Sequence, residues 1–92
     1  MRICVKKNGD VLAACDEDLV GKKFEEKELV LDIRKSFYLD KIIDGGEFSR
    51  MLAGADNINL VGEQTINIAK RDKLVNSVGR IKGIPYAIIF RL

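Results

Sequence analysis

The side chains in this chain that could do chemistry are carboxylates, lysines, arginines, two tyrosines and two cysteines, because histidine is absent. Histidine is the side chain most used for acid–base catalysis near neutral pH and for binding transition metals. Its absence excludes Ser-His-Asp and Cys-His catalysis. A closed zinc site would need two carboxylates beside the two cysteines, an unusual ligand set for structural zinc. We therefore expect no metal, and neither a dinucleotide-binding nor a P-loop spacing predicts a cofactor.

Four residues are the catalytic candidates if the protein is an enzyme: the carboxylates of Asp16 and Glu63, with Lys22 or Tyr86. Asp16 begins an acidic run that ends in Leu-Val-Gly21, a pattern typical of one short helical turn with acidic residues at its positive end. Consecutive carboxylates point in different directions and define no acid–base pair. Helix capping is the preferred interpretation of the run, and an enzyme is the least favoured function.

The two cysteines fall in a predicted N-terminal hairpin. Asn8-Gly9 lies between two short apolar runs and predicts a hairpin with these two residues as its loop. In that register Cys4 faces Ala13, and Cys15 is diagonal to Cys4 at about 7–8 Å. That separation is beyond comfortable disulfide geometry, so we expect two buried, reduced thiols. The acidic residues after Cys15 raise its pKa and argue against a nucleophilic thiol.

The first candidate nucleic-acid surface is the segment from Arg34 to Tyr38, where adjacent cations precede adjacent aromatic rings. Bases stack on rings and cations hold phosphates in such patterns, which makes Arg34, Lys35 and Tyr38 the candidate residues. The alternative is a segment leaving the core, with Phe37 anchored inside and Tyr38 at the rim. Anchoring is the preferred interpretation of the two.

The second candidate surface comes from an uneven distribution of the net charge of +2. From residue 47 onward 7 basic residues stand against 4 acidic ones, and most of the excess follows residue 69. The pattern places Arg80 and Lys82 on one face of a strand near Tyr86, and Lys70 and Arg71 precede them. A solvated basic surface is the alternative, and it is the preferred one.

The order of elements predicts a single α+β domain over residues 1–92. Apolar residues at helical spacing predict amphipathic helices over 47–55 and 62–71, the first behind a capping box that starts at Asp44. We expect a mostly antiparallel sheet built from the N-terminal hairpin, a strand over 28–34 and a C-terminal strand pair joined through Gly83-Ile84-Pro85. The two main helices pack on one face of that sheet, and the strand order does not follow from the sequence.

Three short motifs carry a family resemblance across about residues 3–92. They are Cys15-Asp16 with Leu19-Val20-Gly21-Lys22 and Phe24, then Asn59-Leu60-Val61-Gly62-Glu63, and Gly83-Ile84-Pro85. With them the chain resembles an archaeal family, the domain of unknown function 424. Members commonly have a glycine where this chain has Lys27 and a histidine where it has Tyr86, which cannot replace histidine as a base near neutral pH. The resemblance implies an archaeal, cytoplasmic context and no substrate, cofactor or catalytic residues.

Three classes of function follow. The first is a small binding module associated with RNA or the ribosome, based on the late basic excess and on the cation–aromatic segment. The second, ranked almost equally, is a protein-interaction or structural adaptor that binds a protein partner or a second copy of itself. The third is the enzyme. We expect a cytoplasmic location and no membrane contact, because no apolar stretch approaches the roughly 20 residues of a membrane span.

Overall fold

The computed structural model describes residues 2–91, which fold into one α+β domain. The strands are β1 (Ile3–Asn8), β2 (Val11–Asp16), β3 (Lys23–Glu26), β4 (Leu29–Asp32), β5 (Lys41–Ile43), β6 (Asn57–Val61), β7 (Gly79–Ile81) and β8 (Ile84–Phe90). The helices are α1 (Lys35–Tyr38), α2 (Gly45–Ala53) and α3 (Glu63–Arg71), and a short 3₁₀ turn covers Glu17–Leu19. None of the helices in this part of the chain is long and apolar enough to span a membrane.

The main sheet has six strands in the order β5-β1-β2-β6-β8-β7. Its pairs are antiparallel except β2 with β6, which is parallel. The prediction of a mostly antiparallel sheet is confirmed, but the strand expected over 28–34 is not part of it. That segment, β4, pairs with β3 in a separate two-stranded ribbon, while β6 takes a central place in the sheet. Buried Ile58 and Leu60 explain the position of β6, whereas Leu29 and Val30 of β4 are half exposed.

The two faces of the main sheet are covered differently. Helices α2 and α3 cover one face, as predicted, and enclose the main core with Phe48, Leu52 and Ile66 at its centre. Asp44 caps α2 by accepting a hydrogen bond from the Glu47 amide at 2.8 Å, which confirms this half of the capping box. On the other face, α1 and the β3–β4 ribbon form a second, smaller cluster over Cys4, Ala13 and the other inward residues of that side.

The first hairpin has a different loop from the predicted one. Its loop is Gly9-Asp10, so Asn8 pairs with Val11 and Cys4 pairs directly with Cys15. Gly9 has a φ of +58° and stands first in the loop, as a type II′ turn requires, whereas the predicted turn needed positive φ at Asn8 as well. The observed strand pairing is shifted by two residues from the predicted one. An even shift keeps every side chain on its predicted face, but the predicted separation of Cys4 and Cys15 is wrong.

The last hairpin also turns earlier than predicted. Its loop is Lys82-Gly83, with φ of +54° and +77°, and Ile84 and Pro85 belong to β8. Ile81 therefore pairs with Ile84. Proline is accepted there because Arg80 and Pro85 form the non-hydrogen-bonded pair next to the loop, so β7 needs no amide from Pro85.

A buried carboxylate joins β2 to α3. Asp16, 6% exposed, accepts hydrogen bonds from the amide of Gln64 at 3.1 Å and from the amide and hydroxyl of Thr65 at 2.8 and 2.7 Å. The predicted short turn forms over Glu17–Leu19, but the Asp16 side chain makes no capping hydrogen bond to it and instead accepts from the first turn of α3, 48 residues further along the chain. Gly62 precedes α3 with a φ of +110°, and a Cβ there would lie 2.4 Å from the Asp16 Cγ. Only glycine fits this place.

We expect Gly62→Ala to lower the free energy of unfolding by about 3 kcal/mol or more, because backbone strain adds to the contact with the Asp16 carboxylate. Urea unfolding followed by circular dichroism measures the change. Gly54→Ala is the matched control, since a Cβ there meets Met51 only at an ordinary 3.9 Å. Equal stability of the two variants would contradict the prediction.

Candidate functional site

A cleft opens between the β3–β4 ribbon and the main sheet. It encloses about 210 Å³ and is mostly apolar. Its walls come from β4 and from Tyr38 of α1, and its floor comes from β6, β7 and β8. Its lining includes the side chains of Leu29, Val30, Tyr38, Asn59, Tyr86 and Ile88.

The floor of the cleft continues into an open strip of sheet. Strand alternation places Asn57 and Asn59 of β6 on this face, opposite Phe90 and Ile88 of β8. Ile88 is 76% exposed and Phe90 66% exposed. The strip therefore combines two large exposed apolar side chains with two partly buried amides, in the part of the face that α1 and the ribbon leave open.

The wall of the cleft is the outer strand of the ribbon. Leu29 and Val30 of β4 are 51% and 53% exposed. The ribbon turns at Lys27-Glu28, and Lys27 has a φ of +56°, the conformation that glycine takes most easily. The turn thus keeps a glycine-type backbone at the position where the family resemblance leads one to expect glycine.

The two tyrosines of the cleft have different environments. Tyr38 is 7% exposed and meets Phe37 edge to face, with 5.2 Å between the ring centroids. Burial raises the pKa of Tyr38 to about 12, helped by the nearby Cys15 and Asp32. The ring of Tyr86 lies across Gly79, where a Cβ would be 2.5 Å from the Tyr86 Cζ. Gly79 therefore lets this ring lie flat at the end of the cleft.

The first candidate nucleic-acid surface does not form as predicted. Tyr38 lies in the core, and it is Phe37 that is partly exposed, the reverse of the predicted arrangement. Arg34 donates to Asp32 at 2.8 Å, while Lys35 is exposed and its aliphatic stem lies 3.3 Å from the place of a Gly21 Cβ. Burial of Tyr38 removes the ring on which a base was expected to stack, because the segment forms the short helix α1 and not an exposed strand.

The second candidate surface is spread over two ends of α3. Arg80 donates to Glu63 at 2.7 Å and to the Gly83 carbonyl at 2.9 Å, next to the first turn of α3. Lys70 and Arg71 are at the other end of the helix, about 10 Å further along its axis. The last hairpin loop contains Lys82, so the prediction that Lys82 shares a strand face with Arg80 is wrong.

The catalytic candidates do not converge on one point. The Asp16 carboxylate is occupied by the α3 hydrogen bonds, and Glu63 is paired with Arg80 on the helix-covered side of the sheet. Tyr86 lines the cleft on the opposite side, and Lys22 is exposed beside the 3₁₀ turn. Within residues 2–91, no group of three or more histidine, cysteine, aspartate or glutamate side chains could hold a metal ion.

The two cysteines face each other in the middle of the sheet. Both are fully buried and both are free thiols. Burial raises the pKa of each thiol, and for Cys15 the nearby Cys4, Asp16 and Asp18 raise it further. Directly opposed residues of an antiparallel pair lie about 4.5–5.5 Å apart at Cα, within disulfide range, so the predicted separation beyond that range is wrong. The expectation of buried unpaired thiols is confirmed.

Comparison with known proteins gives a family and a fold. The model of a protein family of unknown function, DUF424, matches residues 3–92. The chain belongs to the DUF424 family. The DUF424 chain is also similar to a crystal structure of an uncharacterized conserved protein from Methanopyrus kandleri, with 25% identity and a TM-score of 0.79 over 100% of this chain and 95% of that one. No curated protein matches the DUF424 chain.

Sequence reasoning missed the cleft of this DUF424 protein. The signal lay in β8, where Tyr86, Ile88 and Phe90 alternate with buried residues. Apolar residues on both faces are typical of a central strand, and β8 does lie between β6 and β7. Its second face is open because the ribbon covers only part of that side.

We expect Asp16→Ala to lower the free energy of unfolding by about 1–3 kcal/mol, because it leaves the first amides of α3 without their buried acceptor. Urea unfolding measures the change. Asp18→Ala, at an exposed position two residues on, serves as the control and should change stability by less than about 0.5 kcal/mol. If the two variants lose equal stability, the cap is not the role of Asp16.

We expect Tyr38 to make the protein less stable in alkali. Its pKa is about 12 in the folded protein and about 10 in the unfolded chain, so its contribution is complete below pH 10 and is lost as the pH rises through 12. Unfolding of the protein and of Tyr38→Phe between pH 8 and about 12 measures this. Above pH 10 the unmodified protein should lose stability relative to Tyr38→Phe, and parallel curves would contradict the prediction.

Proposed function

We propose that this DUF424 protein is a protein-binding module, and that the cleft and its open strip are the binding surface. One observation supports the proposal above the others: four large apolar side chains stand exposed at the cleft and its open strip, three of them lining the cleft and Phe90 lying on the strip beside it. They are Leu29, Val30, Ile88 and Phe90. A contiguous exposed apolar surface beside a cavity is typical of a protein-interaction site.

The charges favour a protein over a nucleic acid at this surface. Phosphate binding requires several lysine or arginine side chains along the path of the backbone. The four exposed apolar residues are uncharged, none of the basic candidate residues lines the cleft, and three of those are in ion pairs: Arg34, Arg71 and Arg80. Association with RNA or the ribosome remains a prediction, and it becomes an outcome of the experiment below.

We also propose a cytoplasmic location, where a reducing environment would keep the opposed thiols of Cys4 and Cys15 free. From the family resemblance we also propose an archaeal source. The protein of the similar crystal structure comes from an archaeon, Methanopyrus kandleri.

A photo-crosslinking amino acid at position 88 tests the function. Ile88 is replaced by p-benzoylphenylalanine, and the protein is irradiated in extract of its source cells. We expect crosslinks to one defined protein because Ile88 projects from the open strip. Replacement of exposed Asn67 on α3 is the matched control and should not give the same product.

Three outcomes decide the proposal. A protein crosslink that resists ribonuclease supports the proposal if an excess of the unmodified protein competes it away and an excess of Ile88→Glu does not. Crosslinks to RNA instead would overturn it and favour the nucleic-acid function. Identical products from positions 88 and 67 would also overturn it, because they would show contact without a defined surface.

A further inference from the structure

We infer that the partner enters the cleft as an extended segment that pairs with the free edge of β4 and inserts alternate apolar side chains between the ribbon and the sheet. This inference rests on the proposed function and specifies how the surface binds. Strand addition to an exposed sheet edge is a general mode of peptide recognition, in which main-chain hydrogen bonds supply affinity and side-chain pockets supply specificity.

The backbone of β4 offers such an edge. Glu26 pairs with Leu29 across the two-residue loop, and further along the same strand Ile33 donates to the Lys22 carbonyl at 2.9 Å. Hydrogen bonds in an antiparallel pair alternate along the strand, so the backbone amides and carbonyls of the odd-numbered residues of β4 point toward β3. The amide and carbonyl of Val30 therefore point away from β3, toward the cleft side of the ribbon.

The other edges of the two sheets carry features that discourage pairing. The outer edge of β3 displays Lys23 and Glu25, which lie 3.7 Å apart as an ion pair. The edge strands of the main sheet, β5 and β7, have three residues each, and β7 carries the paired Arg80. Short strands and charged side chains protect sheet edges from other chains. In β4 the far end carries the ion pair between Asp32 and Arg34, but the first half of the strand presents only Leu29 and Val30, half exposed and apolar, beside a cavity.

The size of the surface favours a single strand over a second copy of the chain. A standard stable interface buries about 800 Å² on each partner, with roughly 20–30 residues a side. Here the exposed apolar surface comes from four side chains, roughly a few hundred Å². One extended segment along β4 can cover that area.

The cleft also specifies the chemistry of the segment. Side chains at alternate positions of an added strand point to the same side, so every second residue would face the floor formed by Asn59 and Ile88. That floor is apolar except for the amide of Asn59 and the phenol of Tyr86. The segment should therefore be apolar at every second position, without charge at those positions.

A single substitution separates strand pairing from simple apolar contact. Val30→Pro removes the outward amide, and since that amide does not bond β3, the ribbon should keep its own hydrogen bonds. Val30→Ala is the matched control, because it shortens the side chain and keeps the amide. Both variants are checked by circular dichroism and urea unfolding before binding is measured.

The probe is a phage-displayed library of random linear peptides selected on the full-length protein. We expect the selected peptides to show apolar residues with a period of two. Fluorescence titration of a synthetic selected peptide should show affinity at least about tenfold weaker for folded Val30→Pro, while Val30→Ala loses less, because one main-chain hydrogen bond is lost only in the proline variant.

The outcomes separate this inference from the proposed function. If Ile88→Glu abolishes peptide binding but folded Val30→Pro binds like the unmodified protein, the cleft binds proteins without strand pairing and the inference is wrong. If neither variant changes binding, or no peptide is selected, the inference is wrong, and crosslinking from position 88 decides the proposed function separately. If light scattering shows a dimer that Val30→Pro dissociates, the edge is occupied by a second copy, which also overturns the inference.

Discussion

The buried carboxylate of Asp16 is the contact on which the arrangement of this domain depends. It lies at the end of β2 and accepts the first free amides of α3, while β6, the strand that leads into α3, runs parallel to β2. Two parallel neighbours such as β2 and β6 need a long crossover between them. The first amides of a helix have no partner within the helix, and those of α3 lie beside the end of β2. One aspartate therefore fixes both the position of α3 and the end of the parallel pair.

Gly62 is the second half of that constraint. Its positive φ turns the chain from β6 into α3, and its missing side chain leaves the space that the Asp16 carboxylate fills. The amide of Gly62 donates to the Pro85 carbonyl of β8 at 2.9 Å, so the same turn also holds the next strand. A larger residue at position 62 would disturb the helix, the parallel pair and β8 together.

The cleft follows from the unequal cover of the sheet. Helices α2 and α3 close one face, whereas α1 and a ribbon of two four-residue strands cover only part of the other. The alternation of β8 sends Ala87 into the main core and Ile88 into the open strip, where burial would require a partner. The ribbon lies above, and its strand β4 exposes Leu29 and Val30. Stability of the fold and exposure of a binding surface thus come from opposite faces of the same strands.

The sequence by itself determined the local elements and their buried faces. Periodicity placed both main helices, and the period of two assigned the correct faces to β1 and β2 even with the loop displaced, because a shift of two residues preserves side-chain direction. It also determined which chemistry is absent, since no histidine occurs. Only the tertiary structure decided that β4 leaves the main sheet, that Tyr38 is buried, that Asp16 caps α3 and that Arg80 pairs with Glu63. Each of these depends on contacts between residues distant in the chain, and a local pattern does not specify which distant surface will be its neighbour.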